Sequence, residues 1–154
     1  GVRNHESREH KASDLLRYLY FASHAETRED KNSNPNMLSI PKFLRPDHAN
    51  VDSGDFSDRF RVQLKNQPAK TITCHLSKDG HAFIHYDVAQ CRALTVREAA
   101  RLQTFPDNYL FAGPPSQQRK QVGNAVPPWF AVQLAGLIHE LISSTPADNR
   151  DRAS

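Results

Sequence analysis

The chain reads as an α+β fold, a small antiparallel sheet with flanking helices. Three observations predict it. Residues 58–65 (DRFRVQLK) alternate polar and apolar, as a half-buried strand does. Thr95 and Glu98 stand at the spacing of a capping box, with Leu94 in the staple position ahead of them. Phe130, Leu134, Leu137, Ile138 and Leu141 fall on one helical face behind Pro127 and Pro128.

Taken in order, Ser13 caps a helix over 13–25 with Leu15, Leu16, Leu19, Tyr20 and Ala22 as its apolar positions. Residues 26–36 are charged, then rich in Asn and Pro, and read as a loop. A short helix over 37–48 gathers Met37, Leu38, Ile40, Phe43 and Leu44, and Pro46 ends it. The first strand places Phe60, Val62 and Leu64 on one face and Arg59, Arg61 and Gln63 on the other. Residues 70–77 form a second strand, Lys78, Asp79 and Gly80 a turn, and 81–86 a third strand. A helix over 96–103 stops before Phe105 and Pro106, and 112–123 is loop. Pro127 and Pro128 open the last helix, where a missing N–H costs nothing. The polar tail from Ser143, placed outside the domain at 144–154, is expected to be disordered.

With 154 residues this is one domain or part of one. A net charge of +3 and a pI near 9.0 make a mild basic bias that suits a phosphate-rich partner without requiring one. Two cysteines, Cys74 and Cys91, make no disulfide framework and fit a reduced cytoplasmic compartment. No run approaches the ~20 apolar residues of a membrane span, and residues 1–14 carry no secretory signal. His75, His81 and His85 with the two cysteines match no usual metal spacing, so no metal site is expected.

Two blocks carry a resemblance. The first runs from Arg92 through Leu94, Thr95, Arg97, Glu98, Ala99, Ala100, Arg101, Leu102 and Gln103 to Phe105, Pro106 and Asp107. The second is Gln121, Gly123, Asn124, Ala125, Val126, Pro127 and Pro128. In this order and separation they resemble the last two signature motifs of the DNA (cytosine-5) methyltransferases, of the Dcm-like bacterial type. The resemblance is strongest over 92–134, weaker over 58–91 and weakest over 1–57. It implies the C-terminal segment of a Rossmann-like methyltransferase that uses S-adenosylmethionine. It also implies a target-recognition, DNA-binding region over 1–91 and motifs returning to the catalytic domain over 92–143.

By the same resemblance Asn124 and Ala125 touch the cofactor and Phe105 lines its pocket. The chemistry agrees: Asn offers a donor and an acceptor, Phe an apolar wall, and Gly123 a close backbone approach. A Gly-Asn pair before a helix is also an ordinary turn and cap. Glu98 reads as a helix cap, and Arg97 and Arg101 as structural or solvent pairs.

What the family reaction needs is missing here. The nucleophilic Cys of a Pro-Cys-Gln context, the base-binding Glu of Glu-Asn-Val, the Arg of Gln-x-Arg-x-Arg and the Phe-x-Gly-x-Gly loop do not occur. Cys74 and Cys91 stand in other contexts, so no catalytic residue is expected. Arg59, Phe60 and Arg61 imitate the Arg-x-Arg pattern but lie too close to Arg92 to leave room for a recognition domain. The chain begins with Gly rather than Met, which with the missing motifs predicts a piece of a longer enzyme.

For DNA, the segment from Thr71 to Gly80 resembles the family's phosphate-contacting strand and its turn. Thr73 is the best match, with Lys78, Gly80, Arg59 and Arg61 as further candidates. A solvated strand face with a tight turn is the alternative for each. The N-terminal Arg3, His5, Arg8, His10 and Lys11 form either a DNA-touching cluster or an unstructured arm. Expected partners are double-stranded DNA and the N-terminal catalytic part. An isolated piece would expose Leu134, Leu137, Ile138 and Leu141, and would repack or form a homodimer. The expected location is the bacterial cytoplasm. A non-catalytic DNA-binding or regulatory module, or a tRNA-methylating relative, are the rival readings.

Overall fold

The structure, a computed structural model, describes residues 1–27, 35, 37–47 and 58–144. Its centre is a single rung of paired backbone. Ile84 bridges Ala93 in antiparallel sense and Val62 in parallel sense. Around these bridges the His85 amide donates to the Arg92 carbonyl (2.9 Å), Leu94 to Phe83 (2.9 Å), Gln63 to Ile84 (2.8 Å) and Ile84 to Arg61 (2.8 Å).

These are isolated bridges, and among the described residues they do not lengthen into strands. The expected antiparallel sheet is therefore absent, for two reasons. Cys74–Ser77 and His81–Phe83 wind into 3-10 turns where the second and third strands were expected. Gln63, expected on an outer polar face, is buried. Its side chain donates to the Ala82 carbonyl (2.9 Å) and accepts from the Lys70 amide (3.0 Å), doing the work of ladder bonds.

The rung separates two apolar clusters. Ile84 and Ala93 belong to one, with Tyr18, Phe21, Ile40, Leu44, Phe60 and Val62. Phe83 and Leu94 belong to the other, with Ile72, Leu76, Val96, Ala99, Phe111 and Val122. Successive residues of an extended segment point to opposite sides, so two adjacent pairs serve both cores.

Four α-helices occur among the described residues. The first, α1 (Ala12–Thr27), covers the expected 13–25 and the start of the expected 26–36 loop; residues 28–34 and 36 of that loop lie outside the described residues. Its buried face is Tyr18, Phe21 and Ala22, whereas Leu15, Leu16 and Leu19 are exposed. The leucines expected inside thus form an outer stripe, because the aromatic rings fill the space beside Phe60 and His81. The helix expected over 37–48 is instead two 3-10 turns, Met37–Ser39 and Lys42–Leu44. Pro41 parts them, since a residue before Pro avoids the helical region.

Helix α2 (Val96–Leu102) opens as expected: the Thr95 hydroxyl accepts from the Glu98 amide and the Glu98 carboxylate from the Thr95 amide (2.8 Å). Helix α3 (Pro115–Asn124) replaces the loop expected over 112–123. Pro115 in its first turn is the same signal that Pro128 gives for α4 (Pro128–Ser144). No residue of α4 is buried; Leu141 is 68% exposed and Trp129 66%. The helical stretch Pro115–Ser144 is long and apolar enough by length and composition to cross a bilayer. The break at Ala125–Pro127 leaves α4 with 17 residues, about 26 Å against the ~30 Å of a hydrocarbon core. A protein surface suits such a helix equally well. Of the tail expected to be disordered over 144–154, Ser144 ends α4 and residues 145–154 lie outside the described residues.

The N-terminal residues are not an unstructured arm: they are a folded strap. Arg8 donates to the Lys78 carbonyl (2.6 Å), His10 Nε2 accepts from the Ala93 amide (3.2 Å), and His5 Nδ1 lies 3.0 Å from the Thr95 hydroxyl. Asn4 donates to the Phe111 carbonyl and to Gln118 (both 3.0 Å). Arg97, fully buried, donates to the carbonyls of Arg3 (3.1 Å), Pro106 (3.1 Å) and Tyr109 (2.5 Å).

Candidate functional site

Of the residues expected at a cofactor, Asn124 and Ala125 stand at the end of α3 and Phe105 just after α2, the two helices being in contact. Asn124 ends α3 and is exposed; its side chain makes no hydrogen bond among the described residues. Ala125 caps the helix in extended conformation, its amide donating to the Val122 carbonyl (3.3 Å). Phe105 follows Thr104, whose φ of 63° ends α2 sharply. The Phe105 ring is half-buried, 5.0 Å from Tyr109 and 5.1 Å from Phe111. The Thr104 hydroxyl accepts from the Trp129 amide (3.1 Å), tying this corner to the start of α4.

The residues expected at DNA lie around the 73–80 turns. Thr73 is exposed and extended, and its hydroxyl caps nothing. Lys78 is exposed, with its carbonyl held by Arg8. Gly80 is buried with φ +79°, and a Cβ there would stand 2.9 Å from the Ala93 Cβ. Glycine is needed for the turn itself. Arg59 pairs with Asp79 (2.7 Å), beside the same turn. Arg61 pairs with Asp58 (2.8 Å) and lines a separate cavity of about 400 Å³ with Gln63, Gln67 and Lys70.

The two sets touch. Gly123 packs on the backbone of Thr73 and Cys74, and a Cβ on it would lie 2.4 Å from the Thr73 carbonyl oxygen. Its expected close approach is thus made to this chain's own loop. Gln103, which sequence reasoning did not single out, is buried beside this contact. It donates to the carbonyls of Ile72 and Val122, each at 3.3 Å. Its place within the first motif was the only available signal.

Electrostatics mark these groups as framework. Burial would raise the Glu98 carboxyl, but the Arg92 guanidinium (2.7 Å to each oxygen) and the Thr95 amide hold it down at about 2. Arg101 pairs with Asp107 at the surface. Burial first, then Arg8, push His10 down to about 4, in keeping with an acceptor nitrogen. Burial also lowers His81, whose Nδ1 lies 2.8 Å from the Tyr18 hydroxyl. Cys74 is exposed; Cys91 is partly buried, and burial pushes its thiol up.

The ends of α2 and α3 thus stand beside a loop with exposed Thr73 and Lys78, and the exposed helix α4 follows them. The family of C-5 cytosine-specific DNA methylases matches residues 3–140. The chain belongs to that family. It is 42% identical over 143 residues to the Type II methyltransferase M.Bpa9945I of Bacillus paralicheniformis, covering 93% of this chain and 31% of the relative. It is 37% identical to the Type II methyltransferase M1.HphI of Haemophilus parahaemolyticus, over 87% of this chain and 30% of the relative. Against the DNA (cytosine-5-)-methyltransferase M.ApeKI of Aeropyrum pernix the identity is 35%, over 75% and 25%. The chain thus spans about a third or less of the length of the curated relatives it matches. No solved structure is a significant match to it.

Proposed function

We propose that this chain is the C-terminal part of a Dcm-like DNA cytosine-5 methyltransferase, supplying target recognition and one wall of the S-adenosylmethionine pocket. The observation that carries this is the bare α4 that follows Asn124 and Ala125. A helix exposing Phe130, Leu134, Leu137, Ile138 and Leu141 has its apolar face built for another surface. The relatives' remaining length is the natural source of it.

The corner fits part of a cofactor. Asn124 holds an unspent amide at the surface, and Phe105 offers a ring edge. When bound, S-adenosylmethionine supplies the methyl group that the complete enzyme places on cytosine. Here Asn124 would hold polar cofactor atoms, Phe105 would exclude water, and Ala125 would let the backbone come close. Thr73 and Lys78, with Arg59 beside the turn, Arg61 farther off and Gly80 shaping the turn, would grip the phosphates around an extruded base. The nucleophile lies on the remainder of the enzyme, so this chain alone transfers nothing. Without that remainder, a second copy of the chain would cover α4.

The test is methyl transfer from labelled S-adenosylmethionine to a cytosine-containing duplex. Activity is expected when the chain is joined or mixed with the rest of its methyltransferase, and none from the 154-residue chain. Turnover by the chain alone overturns the proposal. So does a combined enzyme that binds DNA without transferring, which would make the chain a non-catalytic module.

A further inference from the structure

We infer that Gln103 is a positioning residue that locks the DNA-facing loop to the cofactor-facing end of α3, so that the two ligands are felt through one amide. The inference rests on the proposed placement of Thr73 and Asn124. Gln103 ends α2 with its own amide donating to the Ala99 carbonyl (3.0 Å). Its side chain is buried, and Nε2 carries two hydrogens for two carbonyls, those of Ile72 and Val122. Because both partners are acceptors, the amide has one orientation that satisfies them.

The two acceptors are not equivalent in what they hold. Ile72 immediately precedes Thr73, the exposed hydroxyl expected at phosphate. Val122 lies two residues before Asn124, the exposed amide expected at the cofactor. The Val122 carbonyl sits in the last turn of α3, where it accepts from the Ala125 amide (3.3 Å) and takes the Gln103 donor as its second bond. Gly123 brings the same two segments into backbone contact. A shift of the 72–74 backbone therefore strains or relaxes the 122–125 backbone. Binding at one end is transmitted to the other with no intervening side chain besides Gln103.

The experiment uses the complete methyltransferase. The dissociation constant of a cytosine-containing duplex is measured with and without S-adenosylhomocysteine, and that of S-adenosylhomocysteine with and without the duplex. The native enzyme is expected to show reciprocal coupling of about fivefold or more. In Gln103→Leu, close in size but with no donor, the coupling factor is expected to fall to about one. A variant that loses affinity for both ligands while keeping the native ratio shows a merely structural role and overturns the inference. So does a native enzyme with no coupling. Should Gln103→Leu fail to fold, Gln103→Asn, which keeps the amide but is one methylene too short to span both carbonyls, is expected to lose the same ratio; its retention of native coupling overturns the inference. Failure of the native enzyme to bind duplex at all sinks the proposed function itself, a result distinct from binding without coupling.

Discussion

Gly123 and Thr73 meet backbone to backbone, with room for no side-chain carbon between them: the nearest atom to a Cβ at 123 would be the Thr73 carbonyl oxygen, 2.4 Å away. Replacing Gly123 by Ala must move α3 or the loop, and overpacking of this kind costs roughly 1–3 kcal/mol. Gly136, inside exposed α4 with nothing within 4 Å, is the control. There Ala is expected to stabilise the helix by up to about 1 kcal/mol. Urea unfolding of the two variants reads the contrast, and equal effects at both positions would contradict it.

Arg97 holds three loop carbonyls from inside the protein, whereas Arg101, four residues on, holds only Asp107 at the surface. Arg97→Met would remove these charge-assisted bonds, leaving the Pro106 carbonyl with the Tyr109 amide, a loss of about 1.5–3 kcal/mol. Arg101→Ala is expected to leave the unfolding midpoint almost where it was. Comparable destabilisation by the two changes would show that burial is not what matters.

Acid should weaken the fold in two windows. His10 has its folded-state pKa lowered to about 4, against an ordinary value near ~6.5. The unfolded chain therefore binds this proton first, and stability falls as pH drops from about 6.5 to about 4. Glu98 is held at about 2, against an ordinary value near ~4.3. Its contribution is complete above the unfolded value and is lost as pH falls from there towards 2. An NMR titration of the His10 ring with a midpoint near neutrality would remove the first window. Glu98→Gln is expected to be less stable than the native chain at pH 7 and to converge on it near pH 2.

Asn124→Asp removes a donor and adds a negative charge at the expected cofactor contact. In the complete enzyme, affinity for S-adenosylhomocysteine should fall on the order of tenfold, the effect of about 1.4 kcal/mol. Calorimetric titration showing native affinity would take Asn124 out of the pocket.

Lys78 is exposed and its ammonium makes no ion pair among the described residues, unlike Arg59 and Arg61. The chain should bind duplex DNA weakly and with steep salt dependence. Lys78→Ala is expected to reduce the slope of log affinity against log salt by about 1, while Arg61→Ala, whose charge Asp58 already offsets, should change it less. Tight binding that persists at high salt would exclude a phosphate-led interface.

Local signals were readable wherever they were chemical. The Thr95–Glu98 box and the Pro127–Pro128 helix start lie where sequence puts them, because a cap and an N-terminal proline act within one turn. The sheet was misread because period-two alternation at 58–65 cannot tell a strand from an irregular segment whose polar residue, Gln63, turns inward to bond backbone. Helix α3 was missed because SQQRKQ has no apolar period; Val122 and Arg119 are its buried residues. Thr73 lies about 50 positions from Gly123, and the partners of Gln103 lie 31 and 19 positions away, so no local pattern announces them.

The lone rung through Ile84 and Ala93 is a party wall. Both apolar clusters lean on it, one against Ile84 and Ala93 and the other against Phe83 and Leu94. Loss of either cluster strips a wall from the other, so unfolding should proceed as one event, seen alike from Tyr18 on one side and Phe111 on the other.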